Sequence, residues 1–116
     1  MRENIIEKKS FEFALFVIET YKKLVYEKKE YVLSKQFLRA GTSIGVNVIE
    51  GEDAQSKNDF ISKMGIALKE ASETKYWIEL MKSAKYLDKE NSDRLIRKCD
   101  EIIRILRSIV KSSREK

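Results

Sequence analysis

The chain has 116 residues, of which 42% are hydrophobic and 37% are charged, and its net charge is +5. It contains no histidine and no proline, and Cys99 is the one cysteine, which excludes histidine acid–base chemistry, Cys/His metal sites and an internal disulfide. It also lacks a signal-peptide core and an apolar run of the ~20 residues that span a bilayer, so we expect a cytoplasmic protein without membrane contact. Because the usual catalytic and metal-binding residues are missing, we expect it to be non-enzymatic and to hold no metal or cofactor.

The first two predicted helices cover residues 4–29 and 34–52, joined by a short connection at 30–32. Ser34 is the predicted N-cap of the second helix. Three of the four glycines fall in this second helix, where each lowers helix propensity by roughly 1 kcal/mol and is tolerable if another backbone comes close. The apolar residues of the first helix recur at helical spacing as Phe11, Ala14, Leu15, Ile18, Tyr21 and Val25.

The third and fourth predicted helices cover residues 57–85 and 89–113, with a capping-box-like start at Ser56 and a cap at Asp88. Short links between long amphipathic helices require antiparallel neighbours. The sequence therefore predicts one all-α domain over residues 1–116, an antiparallel up-down-up-down four-helix bundle. The main apolar stripe of the third helix holds Phe60, Met64, Leu68, Ala71 and Ile78. The fourth helix has one apolar face of about 140°, formed by Leu95, Cys99, Ile102, Ile103, Leu106, Ile109 and Val110.

A narrow polar stripe runs along the otherwise apolar second helix, at spacings of three or four residues. It consists of Arg39, Ser43, Asn47 and Glu50. We interpret it as structural: Ser43 and Asn47 should hydrogen-bond to neighbouring helices, and Arg39 and Glu50 should pair across an interface. The alternative is a functional polar site, including an enzymatic cleft of Glu50, Arg39 and Glu73.

A second apolar stripe on the third helix lies nearly opposite its main one and indicates a second packing partner. Together with two residues of the second helix, it predicts a subunit interface, since exposed patches of this size usually have partners. The alternative is that a loop or the N-terminal segment covers it within one chain. The predicted interface residues are Leu38, Ile49, Ile66, Trp77 and Leu80.

A basic stripe occupies the fourth helix, within an arc of about 100° beside its apolar face. Such a stripe can lie along the phosphates of a nucleic acid. The competing interpretation is a solvated face, because Asp93 and Asp100 precede two of the arginines by four residues, which suits intrahelical salt bridges. The predicted phosphate-binding residues are Arg97, Arg104, Arg107, Lys111 and Arg114.

Two segments carry a family resemblance. Residues 39–51 read Arg-Ala-Gly-Thr-Ser-Ile-Gly-Val-Asn-Val-Ile-Glu-Gly, which resembles the Arg-Ala-x-x-Ser-Ile-x-x-Asn-Ile-x-Glu-Gly signature of the bacterial 23S rRNA-intervening-sequence proteins. Residues 67–78 read Ala-Leu-Lys-Glu-Ala-Ser-Glu-Thr-Lys-Tyr-Trp-Ile, similar to that family's Ala-Leu-x-Glu-Ala-x-Glu-x-x-Tyr-Trp-Leu. The resemblance implies a four-helix bundle, a homopentameric ring and a link to RNA, but no known activity.

The expected partners follow from the basic stripe and this resemblance together. The preferred function is binding of structured RNA, especially ribosomal RNA, by an oligomer that contacts the nucleic-acid backbone; DNA stays open as a partner. The alternative is a scaffold or adaptor for a nucleic-acid enzyme, because the bundle also resembles the accessory proteins of diversity-generating retroelements, which pair a basic ring with a reverse transcriptase.

Overall fold

The computed structural model describes residues 4–115, so both ends of the predicted 1–116 domain lie outside the described residues. Four helices follow one another: α1 (Ile5–Tyr26), α2 (Leu33–Glu52), α3 (Lys57–Ser83) and α4 (Lys89–Arg114). The predicted first helix ends three residues early, because Lys29 adopts a left-handed backbone with φ 57° in the turn that follows. The remaining ends lie within two residues of the prediction.

Each helix packs on the next one in the chain, and α1 closes the bundle against α4. The turns are short, so consecutive helices are antiparallel, and the described residues extend over 46 × 24 × 20 Å. The 27 residues of α3 account for about 40 Å of that length at 1.5 Å per residue. The predicted all-α four-helix bundle is confirmed.

The core uses a different face of α1 from the one that the apolar spacing had suggested. Phe11 is 66% exposed and Leu15 is 54% exposed, so the predicted stripe of α1 lies largely on the outside of the bundle. This helix is apolar on two faces, and the sequence of α1 alone does not rank them. The residues that α1 buries are Ile6, Ser10, Phe13, Val17 and Leu24.

The face of α1 that turns inward is set by contact with α2. A Cβ atom at Gly41 would lie 2.7 Å from Cγ2 and 2.8 Å from Cγ1 of Val17, which is fully buried. Since these separations are shorter than van der Waals contact, only glycine lets the two helices approach so closely. The expectation that the glycines of α2 mark a close neighbour is met most clearly at Gly41.

The turn before α2 is stabilised by a carboxylate that the sequence analysis had placed in a plain connection. Glu30 is buried, and its side chain accepts hydrogen bonds from the N–H groups of Val32 (3.2 Å), Leu33 (3.0 Å) and Ser34 (2.6 Å). The predicted N-cap role of Ser34 is wrong: it lies inside α2, and its hydroxyl donates to the Glu30 carbonyl at 2.7 Å. The Glu30 carboxylate thus binds backbone N–H groups at the start of α2, which have no acceptor within the helix.

The close approach of α1 and α2 predicts opposite effects for two glycine substitutions. Gly41→Ala should lower the free energy of unfolding by about 1–3 kcal/mol, because the new methyl group collides with Val17 in a close-packed core. Gly65→Ala is the matched control on α3: no neighbouring atom lies within 4 Å of the added Cβ. Its better helix propensity should stabilise the protein by up to ~1 kcal/mol. Urea denaturation followed by far-UV circular dichroism measures both, and equal effects would contradict the close approach.

The Glu30 cap predicts a stability difference that depends on pH. Burial by itself raises the pKa of Glu30, but the N–H groups of Leu33, Ser34 and Val32 together bring it below its ordinary value of 4.5. Because the folded-state pKa is depressed, the stabilisation is complete above the unfolded-state value and is lost as pH falls through the folded-state value.

Glu30→Gln should therefore destabilise the protein by about 1–2 kcal/mol at pH 7, since a charged cap is replaced by a neutral amide. The difference from the wild type should shrink as the pH is lowered below 4.5. The control is Glu27→Gln, which removes an exposed carboxylate from the same turn and should leave stability nearly unchanged. A Glu30→Gln penalty that stays constant down to acid pH would rule out the charged cap.

Candidate nucleic-acid interface

The five basic residues predicted on α4 all lie on the protein surface. From Arg97 to Arg114 they extend over about 26 Å of helix, at 1.5 Å per residue. None of the five forms an ion pair with another residue of the described range 4–115. Their charges are therefore available to an external anion.

The acidic residues that were expected to neutralise this stripe face α3 instead. Asp93 contacts Lys82 at 2.9 Å and Lys89 at 2.8 Å, and Asp100 contacts Lys75 at 2.9 Å. Hydrogen bonds from Lys89 and Lys82 lower the pKa of Asp93 to about 2, so it stays charged and paired. The predicted intrahelical pairs from Asp93 and Asp100 to the arginines four residues later are wrong, because Lys75 and Lys82 of α3, together with Lys89 at the start of α4, bind these carboxylates.

Two further cations of α4 are held against α1. The guanidinium of Arg94 lies 4.2 Å from the centroid of the Phe16 ring, and the ammonium of Lys98 lies 4.7 Å from it. Cation–π contacts of this kind fix the position of a charge without neutralising it. The sequence analysis missed these residues, although their spacing of four on α4 places them on one side of that helix. α4 thus carries positive charge on both of its flanks.

The polar residues in the middle of α2 bond to their own helix rather than to neighbouring helices. The Ser43 hydroxyl donates to the Arg39 carbonyl at 2.6 Å, and Asn47 Nδ2 donates to the Ser43 carbonyl at 2.9 Å. Both acceptors lie four residues earlier, which is the nearest backbone oxygen for a side chain inside a helix. The predicted hydrogen bonds from Ser43 and Asn47 to other helices are wrong.

The charged ends of the same stripe join α2 to α3. Arg39 donates to Glu73 and lies 3.6 Å from Glu70 Oε1, while Trp77 Nε1 donates to Glu73 at 3.4 Å. Glu70 Oε1 is buried and has no hydrogen-bond partner among residues 4–115, so Arg39 supplies its nearest opposite charge.

At the other end of the stripe, Glu50 pairs with Lys63 on α3 at 2.7 Å. Arg39 and Glu73 touch, but Glu50 is engaged elsewhere on α3. The ion pairs of Arg39 with Glu70 and Glu73 and of Glu50 with Lys63 join α2 to α3, and we call them the α2–α3 clasp. They do not bring Glu50, Arg39 and Glu73 together as the alternative of an enzymatic cleft required.

The five predicted interface residues lie in three places: against the core, in a groove between α1 and α2, and on the exposed surface of α3. Leu38 and Trp77 are half-buried and pack against the core. Ile49 is 44% exposed in a groove between α1 and α2, whereas Ile66 and Leu80 are 39% and 36% exposed on α3. The sequence analysis missed the other large residues of the groove, namely Phe11, Leu15 and Val46, because the first two belong to the α1 stripe that was read as one apolar face.

The described residues offer little to a metal or a reactive group. Across residues 4–115, no three Cys, Asp or Glu side chains converge as metal ligands would. Cys99 is buried, its thiol donates to the Ala71 carbonyl at 3.2 Å, and burial raises its pKa to about 12. A thiol that remains protonated at neutral pH is a poor nucleophile. None of the described helices has the length and apolar character needed to cross a membrane.

The clasp predicts unequal costs for removing its two cations. Arg39→Met should destabilise the protein by about 1–2 kcal/mol, because Glu70 keeps a buried oxygen without an opposite charge. Lys63→Met is the matched control and should cost less than ~0.5 kcal/mol, since the Lys63 and Glu50 side chains are 38% and 50% exposed and such pairs contribute little. Thermal and urea unfolding compare the two. Equal stability of both variants would argue against a structural role for Arg39.

Comparison with known proteins places this bundle in a family. The profile of the 23S rRNA-intervening sequence protein matches residues 2–108. Among solved structures, the chain is similar to a protein of unknown function from the S23 ribosomal protein family of Bacteroides thetaiotaomicron VPI-5482, with 50% identity and a TM-score of 0.91. The similarity covers 92% of this chain and 99% of that one. No curated protein matches. The resemblance of residues 39–51 and 67–78 is confirmed, and the chain belongs to the 23S rRNA-intervening sequence protein family.

Proposed function

We propose that this protein is a cytoplasmic, non-enzymatic homo-oligomer, a pentamer by family resemblance, that binds structured RNA through the basic surface of α4. The observation that carries the proposal is the stripe of exposed cations without ion pairs in the described chain. These are Arg97, Arg104, Arg107, Lys111 and Arg114. Ribosomal RNA is the first RNA to test, because the family description refers to 23S rRNA.

The chemistry of the stripe favours contacts with phosphates over the reading of bases. It contains arginine and lysine but no aromatic residue for stacking, and it lies along a single helix of 26 residues. Double-stranded RNA presents a deep, narrow major groove that side chains do not reach, so proteins recognise it by shape and by contacts with phosphates and 2′-hydroxyls. A helix with a row of cations fits this mode of recognition.

Assembly would strengthen an interaction that is weak for one chain. A single stripe offers five cations, and exposed charge–charge contacts lose strength as salt increases. Several copies of the stripe on one ring would bind one RNA at several points, which raises affinity by ~10²–10⁴ without new kinds of contact. The proposal therefore predicts a strong dependence of RNA binding on both salt and assembly.

The test measures binding of labelled 23S rRNA fragments and of a duplex DNA of equal length across a salt series. The variant Arg104→Gln/Arg107→Gln/Lys111→Gln should weaken RNA binding at least ~10-fold at low salt. It should also reduce the slope of log K against log salt by about 2–3 for each bound chain, because each lost phosphate contact removes nearly one unit.

The matched control is Lys22→Gln/Lys23→Gln/Lys28→Gln, which removes three exposed cations from the C-terminal end of α1 and the turn that follows it. It lowers the net charge by the same amount and should change binding by less than ~3-fold if the site is local. Equal losses in both variants would show that net charge, rather than the α4 stripe, attracts RNA. Absence of RNA binding at low salt would overturn the proposal and favour the scaffold alternative, in which α4 meets an acidic protein surface.

A further inference from the structure

The largest apolar surface that the fold leaves open is a groove between α1 and α2. Its large side chains are Phe11, Leu15, Val46 and Ile49, which are 66%, 54%, 54% and 44% exposed. Half-buried small residues lie between them and keep the groove open, with a volume of about 1040 Å³. They are Ala14, Thr42 and Gly45.

The same chain carries a second exposed apolar surface, which is a ridge rather than a groove. Ile66 and Leu80 are 39% and 36% exposed on α3, and Tyr76 is 58% exposed between them. The ring of Tyr76 packs edge-on against Trp77, with 5.4 Å between centroids. At about 100° per residue these three residues fall within an arc of about 80°, so they lie along one side of α3.

We propose that the α1–α2 groove of one chain receives the α3 ridge of a second copy of this chain. The inference rests on the homo-oligomer of the proposed function and identifies the two surfaces that build it. The ridge from Ile66 to Leu80 is about 21 Å long, and the groove residues of α1 from Asn4 to Leu15 extend over about 17 Å. A groove floored by small residues accepts a row of large ones, as in other helix packings.

The amount of apolar surface in the groove fits a subunit contact. Its large side chains expose roughly 330–550 Å² together, taking roughly 150–250 Å² for a fully exposed large side chain. The largest apolar patch on a monomer is of this order and often marks an interaction site.

The charges around the two surfaces are complementary. The groove is also lined by three carboxylates, Glu7, Glu12 and Glu50, and by the single cation Lys8. Lys69 stands exposed on the ridge side of α3 and forms no ion pair with another residue in the range 4–115. A second copy that inserts the ridge would bring this ammonium to an acidic rim.

Two different surfaces on one chain define the symmetry of the assembly. When a groove meets a groove, the contact is isologous and stops at a dimer. When a groove meets a ridge, each added copy leaves one groove and one ridge free at the ends of the assembly, so the contact repeats and forms a ring where the rotation between copies closes. The groove and ridge thus supply a physical basis for a closed ring of copies.

The experiment uses one charge-introducing variant for each surface and measures native mass without RNA. Leu15→Glu should block the groove, and Ile66→Glu should block the ridge. Each variant alone should run as a monomer of 13.6 kDa in size-exclusion chromatography with light scattering, with subunit association weakened at least ~100-fold. A one-to-one mixture should form a dimer, because one intact groove and one intact ridge remain between the two variants.

Val46→Glu provides a second groove variant, and far-UV circular dichroism confirms folding, which is expected since both groove positions are half exposed. The control is Tyr26→Glu, an equally drastic change at an exposed residue outside the groove, which should keep the wild-type mass. If the wild type assembles but the groove and ridge variants keep its mass, the groove–ridge contact is refuted while the proposed oligomer and its RNA binding stand. A monomeric wild type would overturn the proposed oligomer as well, so the two failures are distinguishable.

Several outcomes would overturn the proposal. A monomeric wild type, or an unchanged mass for both groove variants, would show that the groove holds no second copy. Assembly of Ile66→Glu with loss of assembly in Leu15→Glu would point to a groove-to-groove dimer or to another segment. Two monomeric variants whose mixture also stays monomeric would show that groove and ridge do not bind each other.

Discussion

The contact of Val17 with Gly41 determines how the rest of the bundle is arranged. Because Gly41 has no side chain, α1 approaches α2 closely, and this contact fixes which face of α1 turns inward. With Val17 and Phe13 in the core, Phe11 and Leu15 necessarily point outward. Gly45, which also has no side chain, continues the same contact line beside Ser10, and the outer residues next to it form the open groove. One close approach of two helices thus creates both a packed core and an exposed apolar groove.

The charged side chains fall into two groups: ion pairs that join neighbouring helices, and the exposed cations of the α4 stripe, which form no ion pair within residues 4–115. The lysines of α3 bind the acidic residues of α4, and the acidic residues of α3 bind Arg39 of α2. These pairs link neighbouring helices and use the carboxylates that would otherwise neutralise the α4 arginines. The net charge of +5 is modest, but its excess is concentrated on one exposed helix surface. For the proposed phosphate contacts, the location of the charge matters more than its sum.

The sequence predicted what is local and missed what depends on a neighbouring helix. Helix positions, the buried face of α4 and the bundle itself follow from periodicity, short turns and caps such as Asp88. Four expectations failed: the inward face of α1, the cap of α2, the partners of the α2 stripe and the salt bridges within α4. The inward face of α1 is decided by α2, and the α4 carboxylates bind mainly lysines of α3. The other two failures are local: Ser43 and Asn47 bond to carbonyls of their own helix, and the Glu30 carboxylate accepts from N–H groups of its own turn. A carboxylate three or four residues before a helix can cap that helix, but the prediction of a Ser34 cap did not consider Glu30.

The proposed subunit contact and the proposed RNA-binding surface use different helices, so one chain can make both contacts at once. The groove uses α1 and α2, and the ridge uses α3, so the proposed subunit contact does not involve the basic stripe of α4. The stripe lies on the side of α4 that faces Lys75 and Lys82 of α3, away from α1, and it stays open to solvent when copies associate. Each added copy then contributes one more row of cations at a fixed spacing. Binding strength should therefore rise with the number of copies engaged, and a variant that only dissociates the assembly should weaken RNA binding even though its α4 is unchanged.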